Sequence, residues 1–166
     1  LGDPEIPLVY YTTVNDNTAP VENEAGLANL LSVNNSDESP ESAKENWHDL
    51  TGVKTAIGGP AKAIHIFVKA KDANGISQIT PAFTTAVTLN ENEKPEITPL
   101  ISSTIDNEKS RIALIKIDIS KCTGTNDYKL ELKATDNAGR NISRSFDMSI
   151  DKEAPEVYID SPADNA

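Results

Sequence analysis

The segment Lys69-Ala70-Lys71-Asp72-Ala73-Asn74-Gly75 returns 64 positions later as Lys133-Ala134-Thr135-Asp136-Asn137-Ala138-Gly139, each time after a run that alternates apolar and polar residues. Self-similarity at so long a spacing points to a modular chain before any chemistry is considered. A second mark, Pro4-Glu5-Ile6, recurs as Pro95-Glu96-Ile97 and, with one conservative change, as Pro155-Glu156-Val157. Proline, with its fixed φ and missing amide hydrogen, suits the first residue of an edge strand, so each copy is expected to open a unit. The expected organisation is a first unit over 1–93 with an insertion at 20–60, a shorter second unit over 94–153, and the first strand of a third over 154–166, truncated here.

Period-two patterning makes the chain all-β. Ile115, Ile117 and Ile119 share one face, as do Tyr128, Leu130, Leu132 and Ala134, and again Phe146, Met148 and Ile150, with polar residues between them. Half-buried antiparallel strands carry this signature. In the first unit Ile64, Ile66, Val68 and Ala70 form the inward stripe, Asp72 to Gly75 the turn, and Thr85, Val87 and Leu89 the returning stripe. Asn and Gly at 137 and 139 tolerate positive φ, so a short turn is expected there too. Between 20 and 63 the first unit is polar and loop-rich. Ser39 as N-cap with Pro40 at the first helical position predicts one short helix toward Leu50, closed by Gly52, and Gly58-Gly59-Pro60 predicts a turn.

Composition narrows the function classes. A chain of 166 residues, 37% hydrophobic, suits two modest cores rather than one large enzyme-like core. A net charge of −11 argues against nucleic acid and anionic lipid as partners. The excess is concentrated in residues 1–93, which carry 5 Lys/Arg against 13 Asp/Glu, whereas 94–153 carry 10 of each. The single Cys122 excludes an intramolecular disulfide and reads as a part-buried hydrophobe at a strand end. No apolar run reaches membrane-spanning length and no signal peptide is visible, which is uninformative in a chain expected to be a fragment of something longer.

Residues 133–143, Phe146-Asp147-Met148-Ser149-Ile150-Asp151 and the pair Ala154-Pro155 together resemble the close of a bacterial immunoglobulin-like repeat: a hairpin of the form A-x-D-x-A-G-N-x-S, a last strand ending in Asp, and an A-P junction. The terminal hairpin and linker of both units match, about a third of the chain, and Trp47 resembles the tryptophan such repeats carry in mid-domain. The resemblance implies tandem immunoglobulin-like sandwiches of the cadherin or fibronectin type III kind. At about 60 residues the second unit has no evident room for strands C to E, against the roughly 100 of a usual sandwich, and is expected to be reduced.

Calcium is the sharpest chemical candidate, since hard cations want several oxygens and Asp and Asn cluster at the turns. Val14-Asn15-Asp16-Asn17-Thr18-Ala19-Pro20 is similar to the cadherin calcium linker, but it lies inside the first unit, and each true junction carries a lysine, Lys94 or Lys152. A calcium site would use Asp72 and Asn74, or Asp136 and Asn137, with a junction carboxylate; the same residues are ordinary turn formers. Trp47 reads first as core packing and alternatively as a sugar-stacking platform. Phe67 falls on the outward face, either shielded by a loop or part of a binding surface, with His65 beside it as a solvated side chain. Two histidines, His48 and His65, with no HExxH, GxSxG or Cys-His pattern, argue against an enzyme. Asn34-Asn35-Ser36 and Asn141-Ile142-Ser143 fit the glycosylation pattern, which carries no weight in a bacterium.

The expected role is structural: a spacer of a secreted or surface-anchored bacterial protein, presenting an adhesive or other functional domain, its partners the other domains of the same chain. Two alternatives stay open. One is a binding module for host protein or glycan through the 20–60 insertion, and the other an accessory domain of an extracellular enzyme.

Overall fold

The computed structural model describes residues 2–15, 47–50 and 52–153. Among these residues nine strands follow in chain order: β1 Glu5–Val14, β2 His48–Asp49, β3 Thr55–Ile57, β4 Ala63–Lys71, β5 Ile76–Thr84, β6 Glu96–Ile105, β7 Ser110–Asp118, β8 Thr125–Asp136 and β9 Asn141–Asp151. They build two sheets, one in the order β2-β1-β4-β7-β6 and the other β3-β9-β8-β5. The run β1-β4-β7-β6 is the A-B-E-D sheet of an immunoglobulin sandwich, and β5, β8 and β9 are its C, F and G strands. The short β3 adds a parallel partner to β9, with Thr55 opposite Met148 and Ile57 opposite Ile150.

This topology corrects the expected domain division. Both sheets combine strands from 1–93 with strands from 94–153, and Ile64, Ile66, Val68 and Ala70 of β4 share a core with Ile115 and Ile117 of β7, Leu130, Leu132 and Ala134 of β8, and Met148 and Ile150 of β9. The two Lys-Ala-x-Asp copies end β4 and β8, the central B and F strands of opposite sheets. Both strands run toward the same pole and both give way there to a turn, so they need the same inward stripe and the same corner chemistry. The repeat is therefore internal to one sandwich. Residues 94–153 supply strands D to G, as β6 to β9, and the first half supplies A, B and C, as β1, β4 and β5.

The apolar stripes on β4, β7, β8 and β9 pack where the period-two pattern puts them. Of the returning stripe Leu89 packs against the core, from a connection instead of a strand. β5 stops at Thr84, its inward residues Ile79 and Phe83 reach the core, and Val87 is 52% exposed in the connection to β6. The helix expected toward Leu50 also fails at its described end: His48 and Asp49 pair with Tyr11 and Tyr10 of β1, and Leu50 N–H donates to Val9 O. Pairing with β1 gives these backbone groups partners, whereas the last turn of a helix would leave its carbonyls without donors. Residues 16–46 and 154–166, which hold the start of that helix, the cadherin-like segment beyond Asn15 and the third-unit strand, lie outside the described residues. The turn at Gly58-Gly59-Pro60 forms, with Ala61 N–H donating to Gly58 O at 3.2 Å.

No disulfide pins the sheets. Leu130, two residues beyond Tyr128, stands where antibody domains place the second cysteine of their inter-sheet bridge, and it is fully buried. Tyr128 approaches Cys122 Sγ at 3.8 Å, in the manner of the tyrosine corner that closes the E–F connection. Two arginines tie the sheets instead. Arg111 of β7 donates to Ile76 O of β5 at 2.9 Å, and Arg144 of β9 to Ile6 O of β1 at 2.8 Å. Such charge-assisted bonds are among the stronger ones available to a backbone carbonyl.

One shared core has a direct consequence for truncation. A fragment of residues 1–93 lacks β6 to β9 and with them most of the apolar partners of β4. It is expected to give the circular dichroism and amide dispersion of an unfolded chain, whereas residues 1–153 unfold in urea in a single cooperative transition.

Candidate functional site

Chemistry-bearing side chains gather at the two poles of the sandwich. At the first pole lie the start of β1, the β4–β5 turn at 72–75, the β6–β7 turn at 106–109 and the β8–β9 turn at 137–140. At the second lie the end of β9, the β3–β4 turn and the connections 85–95 and 119–124.

The first pole brings the four calcium candidates side by side and shows how their polar groups are used. Asn74 N–H donates to Asp72 Oδ2 at 2.9 Å and Gly75 N–H to Asp72 O at 2.9 Å, closing the β4–β5 turn. Asn137 clasps that turn: its backbone N–H donates to Gly75 O at 3.1 Å and its Nδ2 to Asn74 O at 2.5 Å. Asp136 is buried at 1% exposure. Its Oδ1 accepts from Ala138 N–H and Arg140 N–H at 2.9 Å each, and its Oδ2 from Arg140 Nε at 3.2 Å. The guanidinium thus occupies the place a cation would take beside that carboxylate. Among the described residues no group of three His, Cys, Asp or Glu side chains could hold a metal ion.

The β6–β7 turn completes this pole with Asp106, Asn107 and Glu108 at φ of 53°, 52° and 67°, three successive left-handed residues without a glycine. Asp and Asn visit that region readily, but Glu108 does so at a cost of order 1–2 kcal/mol. The neighbouring turn is fitted against it: a Cβ on Gly75, itself at φ 85°, would sit 2.9 Å from Glu108 O and 2.6 Å from Asn137 Nδ2. A cavity of about 320 Å³ opens beside these turns, with Asp3, Glu5, Asp72 and Asp106 facing Lys71 and Lys109.

At the second pole the junction lysines hold protein groups. Lys152 Nζ donates to the carbonyls of Gly59, at 3.1 Å, and Ala61, while its N–H donates to Gly124 O at 2.7 Å. Lys94 pairs with Glu91, whose carboxyl is held below its usual range by that hydrogen bond. Glu93 is lowered likewise by the Thr123 hydroxyl and the Asn90 amide. A second cavity, also about 320 Å³, is walled by Phe83, Leu89, Pro95 and Tyr128 with Thr85 and Lys94 at its rim. Phe83 stacks on Tyr128 with ring centroids 4.7 Å apart and planes within 2°.

The structure takes Trp47 and Phe67 out of solvent. Trp47 is 4% exposed and Phe67 0%, and they meet edge to face at 6.5 Å on the outer side of the five-stranded sheet, within a second cluster that includes Leu8, Tyr10, Ile112 and Leu114. Phe67 does lie on the outward face of β4, as its register requires, but that face is covered. His65, expected as a solvated side chain, is buried at 1% on the same face, and so is Lys69 at 2%. Sequence reasoning missed this layer because alternation identifies two faces without telling which of them sees water; the signal available was the unbroken run of large residues across β4. Cys122 is buried, and burial pushes its thiol up, away from reactive thiolate.

No family model and no curated protein matches the chain. Among solved structures it is similar to the BIgI domain of beta protein from S. agalactiae bound to CEACAM1, at 17% identity over 64% of this chain and 98% of that one, with a TM-score of 0.34. A likeness of that size bears on neither partner nor activity, and the sandwich assignment rests on the strand order itself. No helix among the described residues is long and apolar enough to cross a membrane.

Replacing Asp136 by Ala strips acceptors from two backbone amides and a guanidinium and is expected to cost about 2–3 kcal/mol in urea unfolding. Millimolar calcium is expected to leave the melting temperature of the unaltered chain in place. Tyr128 gives a pH dependence. Burial, and after it the Cys122 contact, pushes its phenol up to about 12 from an ordinary 10.0. A raised folded-state pKa means that the stability it contributes is complete below pH 10 and is lost as the pH climbs toward about 12. The urea midpoint should fall across that window, and the fall should be shallower in Tyr128→Phe.

Proposed function

We propose that the chain is a spacer unit of a bacterial surface or secreted protein, one immunoglobulin-like sandwich per unit, holding an adhesive or other functional domain at a distance. The observation that carries this reading is the placement of the two ends. β1 starts at the first pole and β9 finishes at the second, so the chain enters and leaves along the long axis of the sandwich. The eleven residues of β9 set the rise between the poles at roughly 35 Å. Lys152 fastens the departing strand to the β3–β4 turn, which fixes the direction in which the chain leaves.

The sequence beyond that point fits the same reading. Pro155-Glu156-Val157 repeats Pro4-Glu5-Ile6, the opening of β1, 151 positions on, so we take it as the opening of a following unit. The internal copy at Pro95 opens β6, the outermost strand of the same sheet as β1, and needs no domain boundary. An acidic surface keeps successive units soluble and mutually repelling. The placement outside a bacterial cell rests on the resemblance of the β8–β9 hairpin and its A-P junction.

Small-angle scattering tests the proposal on two copies of the sandwich joined head to tail, Ala154 of one to Pro4 of the next. The maximum dimension is expected to exceed that of one copy by roughly 35–40 Å. A dimension that barely grows would overturn the spacer. Binding of a host protein or glycan that disappears when residues 20–46 are deleted would replace it with the recognition reading.

A further inference from the structure

Asn74-Gly75 is the one Asn-Gly pair in the chain, and its position in the first pole gives it a chemical liability and a guard. In an open chain the glycine nitrogen, having lost its proton to hydroxide, attacks Cγ of the preceding asparagine. The Cγ–Nδ2 bond breaks, ammonia leaves, and water opens the resulting five-membered imide to aspartate or isoaspartate. Glycine favours the attack because no Cβ blocks the approach and its backbone turns freely.

The fold withdraws each requirement. Gly75 N–H, the group that must be deprotonated, donates to Asp72 O at 2.9 Å. Asn74 is held on both sides, its N–H by Asp72 Oδ2 at 2.9 Å and its carbonyl by Asn137 Nδ2 at 2.5 Å. Gly75, at φ 85°, is held at its other end as well, its carbonyl accepting from Asn137 N–H at 3.1 Å. The equivalent turn after β8 needs no such guard, since Ala138 precedes Gly139 there.

We propose that Asn74 is a self-modification site gated by the fold: closed while the 72–75 turn is clasped by Asn137, and reactive whenever that pole opens. Loss of ammonia makes the change one-way, and isoaspartate adds a methylene to the main chain in a turn where even a Cβ on Gly75 would sit 2.9 Å from Glu108 O and 2.6 Å from Asn137 Nδ2. Chains that have opened are thereby marked, and the mark weakens the clasp that would have reclosed them.

Peptide mapping by mass spectrometry tests this on the whole chain, held at mildly alkaline pH either folded or in concentrated urea. Deamidation at residue 74 is expected in urea and to be slower by about tenfold or more in the folded chain. Asn137→Ala, checked by circular dichroism to be folded, is expected to deamidate faster than the unaltered folded chain. Equal rates in the folded and unfolded chain, or no reaction at residue 74 in urea, would overturn the proposal, and the comparison of the unaltered chain stands even where Asn137→Ala does not fold.

Discussion

Every other feature of this molecule depends on two apolar stripes meeting face to face: Ile64, Ile66, Val68 and Ala70 on β4, and Tyr128, Leu130, Leu132 and Ala134 on β8, all but shut off from water. Those two strands are the centres of the two sheets. With no disulfide between the sheets, area removed from water is the main force holding them together, at roughly 25 cal/mol per Å² of apolar surface. The flanking strands then add ladder hydrogen bonds and their own inward residues, and the arginines at 111 and 144 join the sheets where the apolar contact thins.

Strand content and facing were legible in the sequence because a pleated strand half buried against a core has to alternate. Ile115 and Ile117, Leu130 and Leu132, and Met148 and Ile150 all face inward as the pattern demands. Connectivity was not legible. A period of two says that a strand has a buried side but nothing about which sheet it joins, and two central strands of opposite sheets that end at one pole place the same demands on sequence. The Lys-Ala-x-Asp copies met those demands and so looked like two domains. The Pro-Glu-Ile copies likewise open β1 and β6, one at each pole, since the start of a strand tolerates a missing amide wherever it occurs.

At the poles the residue types were visible and their partners were not. Asp72, Asn74, Asp136 and Asn137 do converge, but the carboxylates of Asp72 and Asp136 and the side-chain amide of Asn137 are turned onto backbone groups of their own turn or of the next one. Sequence shows the oxygen atoms and leaves out the amides that consume them, and for Asp136 the decisive neighbour is Arg140, four residues on. Trp47 and Phe67 were uncertain for the opposite reason. Their burial depends on a layer over the outer face of one sheet, which neither periodicity nor composition reveals.

The parallel pairing of β3 with β9 sets how this sandwich meets a pull. β9 runs out toward the second pole between β3 and β8, and β1 is drawn from the first pole along β4. Tension between the termini therefore slides each terminal strand lengthwise past its neighbours, so that the rungs of the ladder are loaded together instead of being unzipped one at a time. Rupture along that axis then requires many of them to yield at once, with no covalent cross-link sharing the load.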